Sequence, residues 1–176
     1  MALNPYGISA SSYQFHTRKK VWILEVRWKR REALPVFWLV AGDVFAPDFV
    51  FDSAAVQAFA ASGQLAHLWL VPNPAHNPRG DFGLSSQGLA LNLPADDPAP
   101  RYTYSTIALL RAELFAPPWC DIAPGNPLGV KAPLAPLLRC AMDNGRVTAA
   151  IYTGRWTDVG TPQRLTELNT IAPHLP

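Results

Sequence analysis

The chain has 176 residues, of which 49% are hydrophobic and 16% are charged; this composition is typical of a globular domain and excludes a disordered chain. No apolar run approaches the roughly 20 residues that span a bilayer, and the N-terminus has no basic region followed by an apolar stretch. We therefore expect neither a membrane partner nor a secretory signal. The two cysteines, Cys120 and Cys140, do not make a disulfide framework, and we expect a reduced, cytoplasmic protein.

The net charge of +2 is unevenly distributed. Residues 1–35 hold seven Lys or Arg and two Glu, which leaves eight basic and 11 acidic residues for the rest of the chain. Trp22 and Trp28 lie within this basic segment, so it could contact nucleic acid through phosphates and base stacking. Basic runs are more often solvated arms, and we therefore do not expect a nucleic-acid partner.

The chain after the basic segment begins with alternating strands and helices. The apolar run at 36–40 (VFWLV) predicts a strand, and its continuity is typical of a buried parallel strand. A helix is predicted over 54–62, with Asp52 or Ser53 as its cap and a glycine just after its end. A second apolar strand follows at 67–71.

The second half of the chain continues this pattern. We predict a hairpin over 82–93 with its turn at Ser86-Gln87-Gly88, a strand at 102–110, a helix over 133–142, a strand at 147–152, and a last helix that begins at Thr161-Pro162. Strands interleaved with helices in this order predict an α/β sandwich.

Three residues of this body could carry chemistry. Asp43 follows the first strand, and ligands of open α/β sheets bind outside the carboxyl ends of strands; the alternative is a turn aspartate that bonds its own backbone. Asp158 lies at a second strand-to-helix corner, and two such carboxylates could share one Mg²⁺. Lys131, the only lysine outside the basic segment, could neutralise a phosphate or be a solvated surface lysine.

A polar loop, NPAHNPRGDF, separates two apolar strands and contains His76. Such loops often read the hydroxyl groups of a polar ligand. A lone histidine in a loop is more often exposed to solvent than catalytic, so His76 is assigned no catalytic role.

Several segments together resemble a known family. FWLVAGDVFAPDF, VPNPAHNPRGDFGLSSQG, YTYSTIALL, VKAPLAPLLRCAM and GRWTDVGTPQRL are similar, in this order and spacing, to segments of bacterial sugar-1-phosphate nucleotidyltransferases. Within that family they are most similar to the N-acetylmuramate α-1-phosphate uridylyltransferases. The resemblance extends from about Leu34 to Asn169.

The resemblance implies a Rossmann-like α/β/α sandwich of the GT-A-like type over residues 34–176. It also implies transfer of a uridylyl group from UTP to N-acetylmuramate 1-phosphate with release of pyrophosphate, so the expected partners are a nucleoside triphosphate and a sugar 1-phosphate. Carried over by motif, Asp43 and Asp158 would bind Mg²⁺, and Lys131 would hold the sugar phosphate. The residues that would line the sugar pocket are Asn73, Asp81 and Ser105.

The chain departs from the family pattern in several places. It contains neither the GxGxR loop that embraces the triphosphate nor the Leu-Glu-Thr segment expected before VFWLVAGD. Thr106 stands where the family usually has glycine, and Ala150 replaces a usual acidic residue. We therefore expect an N-terminally truncated or damaged nucleotidyltransferase. The alternative is a non-catalytic module that binds a sugar phosphate or depends on a partner chain for the loop.

Residues 1–33 admit a specific hypothesis, namely that they are read out of frame. One choice of codons for Arg27 to Glu32 is CGC TGG AAA CGG CGG GAA, and the same letters read from the third base would encode Leu-Glu-Thr-Ala-Gly. The tryptophan codon is unique, so part of this reading is forced. The alternative is a diverged but genuine N-terminal arm.

The nucleotide sequence around codons 15–35 and upstream tests the frame hypothesis. We expect the alternative frame to encode Leu-Glu-Thr there and a GxGxR loop farther upstream. An alternative frame without Leu-Glu-Thr, and without that loop upstream, would show that the basic segment is a genuine arm.

Overall fold

The computed structural model describes residues 36–123 and 127–171; the basic segment, with its frame and nucleic-acid hypotheses, lies outside these ranges. The strands are β1 Val36–Val40, β2 Val44–Phe45, β3 Ala66–Val71, β4 Phe82–Leu84, β5 Ala90–Leu91, β6 Arg101–Arg111, β7 Val147–Ile151 and β8 Thr157–Asp158. The helices are α1 Ser53–Ser62, α2 Leu134–Asp143 and α3 Pro162–Ile171, with a 3₁₀ turn at Ala112–Phe115. None of the described helices is long and apolar enough to cross a membrane.

The main sheet is organised around β6. β3 pairs antiparallel with one edge of β6, while β1 and β4 pair antiparallel with its other edge. β7 pairs parallel with β3, and β5 pairs antiparallel with β4. β1, β3 and β7 therefore run in the same direction, and their carboxyl ends meet at one edge of the sheet.

The predicted strands and helices of the described chain are confirmed, but the parallel pairing predicted for β1 is wrong. Its partner is the antiparallel strand β6, with Val36 opposite Arg111 and Val40 opposite Ile107. The run VFWLV indicates burial, and Val36 is indeed buried, but an apolar run carries no information on the direction of the neighbouring strand. Val40, at the other end of β1, is 41% exposed.

Helices cover both faces of the sheet. Side chains that follow each other on a strand point to opposite faces, so Leu109 and Leu110 of β6 enter different cores. Leu109 packs with Phe59 of α1, whereas Leu110 packs with Leu138 and neighbouring residues of α2. This three-layer arrangement confirms the predicted α/β/α fold class.

The pairing of β6 with β3 is interrupted near its middle. Leu68 lies opposite Ala108 and Leu70 lies opposite Tyr104, so three residues of β6 face Trp69 alone. Extra residues of this kind form a β-bulge, which bends a strand and leaves part of its backbone unpaired.

Two residues of this irregularity, Ser105 and Thr106, are called the bulge below. Ser105 is fully buried, and its hydroxyl donates to the Trp69 carbonyl oxygen at 2.7 Å and accepts from the Ile107 N–H at 3.1 Å. The side chain thus makes hydrogen bonds that the interrupted ladder does not provide. Thr106 has a φ of 61°, in the left-handed region where a β-branched residue is sterically strained.

We expect the substitution Thr106→Gly to raise the melting temperature. The strained conformation costs on the order of 1–3 kcal/mol, and glycine avoids it while losing more backbone entropy on folding and the hydrogen bond from the Thr106 hydroxyl to the Ser105 carbonyl oxygen. A net gain of about 1 kcal/mol would raise the melting temperature by roughly 2–4 °C in a chain of this size. Thermal unfolding followed by circular dichroism measures this difference in melting temperature between the variant and the wild type.

The matched control is Thr103→Gly, in the same strand but outside the left-handed region. This variant should melt at a lower temperature than the wild type, because glycine weakens a strand interior. Equal losses in the two variants would contradict strain at Thr106.

Candidate functional site

A short two-stranded ribbon brings Asp43 and Asp158 together. β2 and β8 pair antiparallel with Val44 opposite Asp158, and the Val159 N–H donates to the backbone carbonyl oxygen of Asp43 at 2.8 Å. β2 follows β1 and β8 follows β7, so the ribbon lies at the edge of the sheet where the carboxyl ends of these strands meet. We call Asp43 and Asp158 the carboxylate pair.

The two side chains approach the same point, beside Gly160. A Cβ atom at this position would lie 2.7 Å from Asp158 Oδ1 and 3.0 Å from Asp43 Oδ2. The two oxygens are therefore no farther apart than the sum of these distances, which a cation and its water shell can bridge. A side chain at position 160 would collide with both carboxylates, so the close approach requires glycine.

Asp158 is surrounded by hydrogen-bond donors. Its Oδ1 accepts from the Gly160 N–H at 2.7 Å and lies 3.0 Å from Arg164 Nη2. His76 Nε2 lies 3.0 Å from Oδ2 and forms an ion pair with it when the imidazole is protonated. Because 24–38% of each side chain is exposed, water screens these interactions and each contributes modestly to stability.

Sequence reasoning missed His76 and Arg164 as neighbours of Asp158. His76 lies in the loop between β3 and β4, and nothing in the spacing of the chain relates that loop to a residue 82 positions away. Arg164 lies in the first turn of α3, three residues after the helix cap Thr161, whose hydroxyl accepts its N–H. Only that short spacing offered a signal, since the first turn of a helix can reach back to the preceding corner.

Asn73 and Asp81 attach the loop between β3 and β4 to β6. The Asn73 side chain donates to the Arg101 carbonyl oxygen at 3.0 Å and accepts from the Thr103 hydroxyl at 3.0 Å. Asp81 Oδ2 accepts the Tyr104 N–H at 2.8 Å. The loop that presents His76 to Asp158 is thus held by both residues, and their contact with a sugar stays a prediction.

Ser105 and Lys131 lie in different surroundings from the carboxylate pair. Ser105 is buried, and its hydroxyl is engaged by the backbone groups on either side of the bulge. Lys131 lies in the exposed segment 127–133 that leads into α2, which belongs neither to the ribbon nor to the loop between β3 and β4. The sugar contact of Ser105 and the phosphate contact of Lys131 stay predictions.

An open pocket of about 350 Å³ lies between the carboxyl ends of β3 and β7, next to the ribbon. Its lining residues are Val71, Pro72, Pro74, Tyr152, Thr153, Gly154 and Trp156. Burial and the nearby Asp48 carboxylate raise the pKa of Tyr152, so its hydroxyl remains protonated at neutral pH. Apolar walls with a few polar groups are typical of small-molecule sites, and sequence reasoning missed the two aromatic residues.

A second contact joins the segments that carry the ribbon. Arg155 Nε and Nη2 each lie 2.7 Å from an oxygen of Asp48, and this hydrogen bonding lowers the pKa of the Asp48 carboxyl group. Both side chains are more than 40% exposed, so the pair contributes little to stability. Its effect is geometric, because it ties the chain after β2 to the chain before β8.

The residues present fit a magnesium ion rather than an all-protein metal cage. Within residues 36–123 and 127–171, no group of three or more His, Cys, Asp or Glu side chains is placed to hold a metal. Mg²⁺ commonly takes only one or two carboxylates and completes its shell with water and phosphate oxygens. The carboxylate pair provides such hard oxygen ligands.

Comparisons with known proteins agree with this architecture. No family model matches the chain. A solved structure described as a glucose-1-phosphate thymidylyltransferase of Bacillus anthracis, in complex with sucrose, superposes with a TM-score of 0.56 at 18% identity, over 81% of this chain and 56% of the other. At this identity the likeness establishes the fold alone.

The sequence comparison finds a relative of higher identity. An N-acetylmuramate α-1-phosphate uridylyltransferase of Neisseria meningitidis serogroup B (strain ATCC BAA-335 / MC58) is 37% identical over 147 residues, which cover 80% of this chain. The chain therefore resembles the sugar-1-phosphate nucleotidyltransferases in sequence. It spans 59% of the length of that relative.

Proposed function

We propose that this chain carries the cation- and sugar-binding part of a uridylyltransferase site. The reaction would transfer a uridylyl group from UTP to N-acetylmuramate 1-phosphate and release pyrophosphate. One observation carries the proposal, namely the convergence of the Asp43 and Asp158 carboxylates beside Gly160 at the carboxyl ends of the strands. The name of the Neisseria relative supports the choice of substrates.

The reaction requires charge neutralisation more than covalent chemistry. An oxygen of the sugar phosphate forms a bond to the α-phosphorus of UTP while the bond to the pyrophosphate oxygen breaks, so negative charge is redistributed over phosphate oxygens. Fixed positive charges stabilise such a transition state. A Mg²⁺ ion held by Asp43 and Asp158 would supply one of them, and Lys131 would hold the sugar phosphate as a point charge.

The pocket beside the ribbon is where we place the sugar. Tyr152 offers apolar surface with a hydroxyl at its tip. Trp156 offers an aromatic face only, because its indole N–H bonds to the Ser105 carbonyl oxygen. Such surfaces suit a ring that carries both hydroxyl groups and C–H faces. Asn73 and Asp81 belong to the loop that borders this pocket through Pro72 and Pro74. Their polar side chains are therefore candidates to read the sugar hydroxyls.

A second candidate function is a sugar-phosphate-binding module that does not catalyse transfer by itself. One observation favours it, since the sequence contains no GxGxR loop to hold the triphosphate. Backbone N–H groups and an arginine at such a loop make charge-assisted hydrogen bonds to the triphosphate. Without these bonds, we expect the affinity for UTP to be much lower. A partner chain that supplies the loop would restore transfer.

Calorimetric titration with N-acetylmuramate 1-phosphate tests the sugar-phosphate site. We expect saturable binding that Lys131→Ala weakens about tenfold, the equivalent of about 1.4 kcal/mol, because the substitution removes the positive charge that would neutralise the phosphate. The matched control Lys131→Arg keeps the charge and should retain most of the affinity. Equal affinity in all three proteins would exclude Lys131 from the site, and no heat with any sugar 1-phosphate would contradict the proposed site itself.

Pyrophosphate release tests whether this chain completes the transfer unaided. We expect the purified chain to release none from UTP and N-acetylmuramate 1-phosphate. Release above the blank would contradict both the partial site that we propose and the binding-module alternative.

A further inference from the structure

The backbone of the bulge bonds to both segments that carry the carboxylate pair. The Thr106 carbonyl oxygen accepts the Ala41 N–H at 3.2 Å, and Ala41 lies two residues before Asp43. The Ser105 carbonyl oxygen accepts the Trp156 indole N–H at 3.1 Å, two residues before Asp158. Successive carbonyl groups of one strand therefore bond to the segments 41–43 and 156–158, which we call the two arms of the site.

The bond from Ala41 to Thr106 continues the register of β1 with β6 by one residue, whereas the bond from the indole to Ser105 depends on the irregular pairing with β3. In a regular strand, successive carbonyl groups point to opposite edges and bond to the neighbouring strands. At the bulge the register with β3 breaks between Leu68 and Leu70, so the carbonyl of Ser105 is available to a side chain outside the sheet. The left-handed φ of Thr106 turns the backbone at this point.

The hydroxyl of Ser105 replaces the bonds that the bulge interrupts. It bridges the Trp69 carbonyl oxygen and the Ile107 N–H, and the side chain has no exposed surface. A buried hydroxyl that both donates and accepts holds the local backbone in one conformation, since a break would leave polar groups unsatisfied. Its position fixes where both carbonyl groups point.

We propose that Ser105 is a positioning residue that sets the separation of Asp43 and Asp158 through the bulge. The purpose assigned to this separation, cation binding, rests on the proposed function. The claim that the bulge holds the two segments in place does not rest on the proposed function, because it concerns only the hydrogen bonds of Ala41 and Trp156. Ser105 thus influences Asp43 and Asp158 indirectly, through the backbone of the bulge and the two segments that bond to it.

Ser105→Ala tests the proposal in the folded chain by nuclear magnetic resonance and Mn²⁺ titration. We expect faster hydrogen exchange at the Ala41 amide and a shifted Trp156 indole N–H resonance, identified with Trp156→Phe. We also expect a Mn²⁺ affinity lower by about tenfold, as for other residues that orient metal ligands. The control is Ser62→Ala, because the Ser62 hydroxyl also bridges two backbone groups, the Phe59 carbonyl oxygen and the Gln64 N–H, and it lies at the end of α1.

The outcomes separate this proposal from the proposed function. Loosened arms and weaker Mn²⁺ binding in Ser105→Ala, with Ser62→Ala like the wild type, support it. Unchanged arms overturn it, as do loosened arms with unchanged Mn²⁺ affinity. If the wild type binds no Mn²⁺, the cation site of the proposed function is contradicted. The hydrogen exchange of the Ala41 amide and the Trp156 indole resonance then decide by themselves whether the bulge holds the arms.

If Ser105→Ala does not fold, Trp156→Phe replaces it. This variant removes only the indole donor from the Ser105 carbonyl oxygen. It should speed hydrogen exchange at the Val159 amide, which bonds the backbone of Asp43 across the ribbon. An exchange rate equal to that of the wild type contradicts the coupling.

Discussion

Backbone hydrogen bonds along both edges of β6 determine where the carboxyl ends of β1 and β3 lie, and β3 in turn positions β7. The strand has 11 residues, which is long enough to pair with β3 on one edge and with β1 and then β4 on the other. Its register is constrained at the end of the apolar run, because a slip by one residue would move the charged Arg111 into the buried position of Leu110. Both arms of the carboxylate pair therefore depend on one strand.

Electrostatics gives the second constraint on the site. Two carboxylates that approach each other repel, and nearby positive charge or N–H donors offset the repulsion. Asp158 has Arg164, His76 and the Gly160 N–H as such partners. A divalent cation between the two carboxylates would neutralise them together, whereas Arg164 supplies a single positive charge on one side of Asp158.

Local sequence signals predicted the elements well because their causes are local. Asp52 was one of two predicted caps of α1, and its side chain accepts the Ala54 N–H at 2.9 Å. Gly63 ends the helix with a φ of 70°. The family pattern pointed to glycine at position 106, and the left-handed φ there gives the physical reason for that preference.

The contacts that build the site could not be predicted from the sequence. β2 and β8 have two residues each, too few to show a periodic pattern, and they pair across more than 110 positions. The meeting of His76 with Asp158 has the same long-range origin. The hydrogen bonds that the Ser105 hydroxyl makes at the bulge are likewise visible only in the fold.

Titration with Mn²⁺ followed by electron paramagnetic resonance tests the central claim, that Asp43 and Asp158 form one cation site. The wild type should bind one ion, and Asp43→Asn and Asp158→Asn should each weaken binding by about tenfold or more, because each removes a charged oxygen ligand. Asp52→Asn, which alters an exposed helix cap away from the ribbon, serves as the control and should bind like the wild type. Equal Mn²⁺ affinity in all four proteins would contradict a shared site at the carboxylate pair.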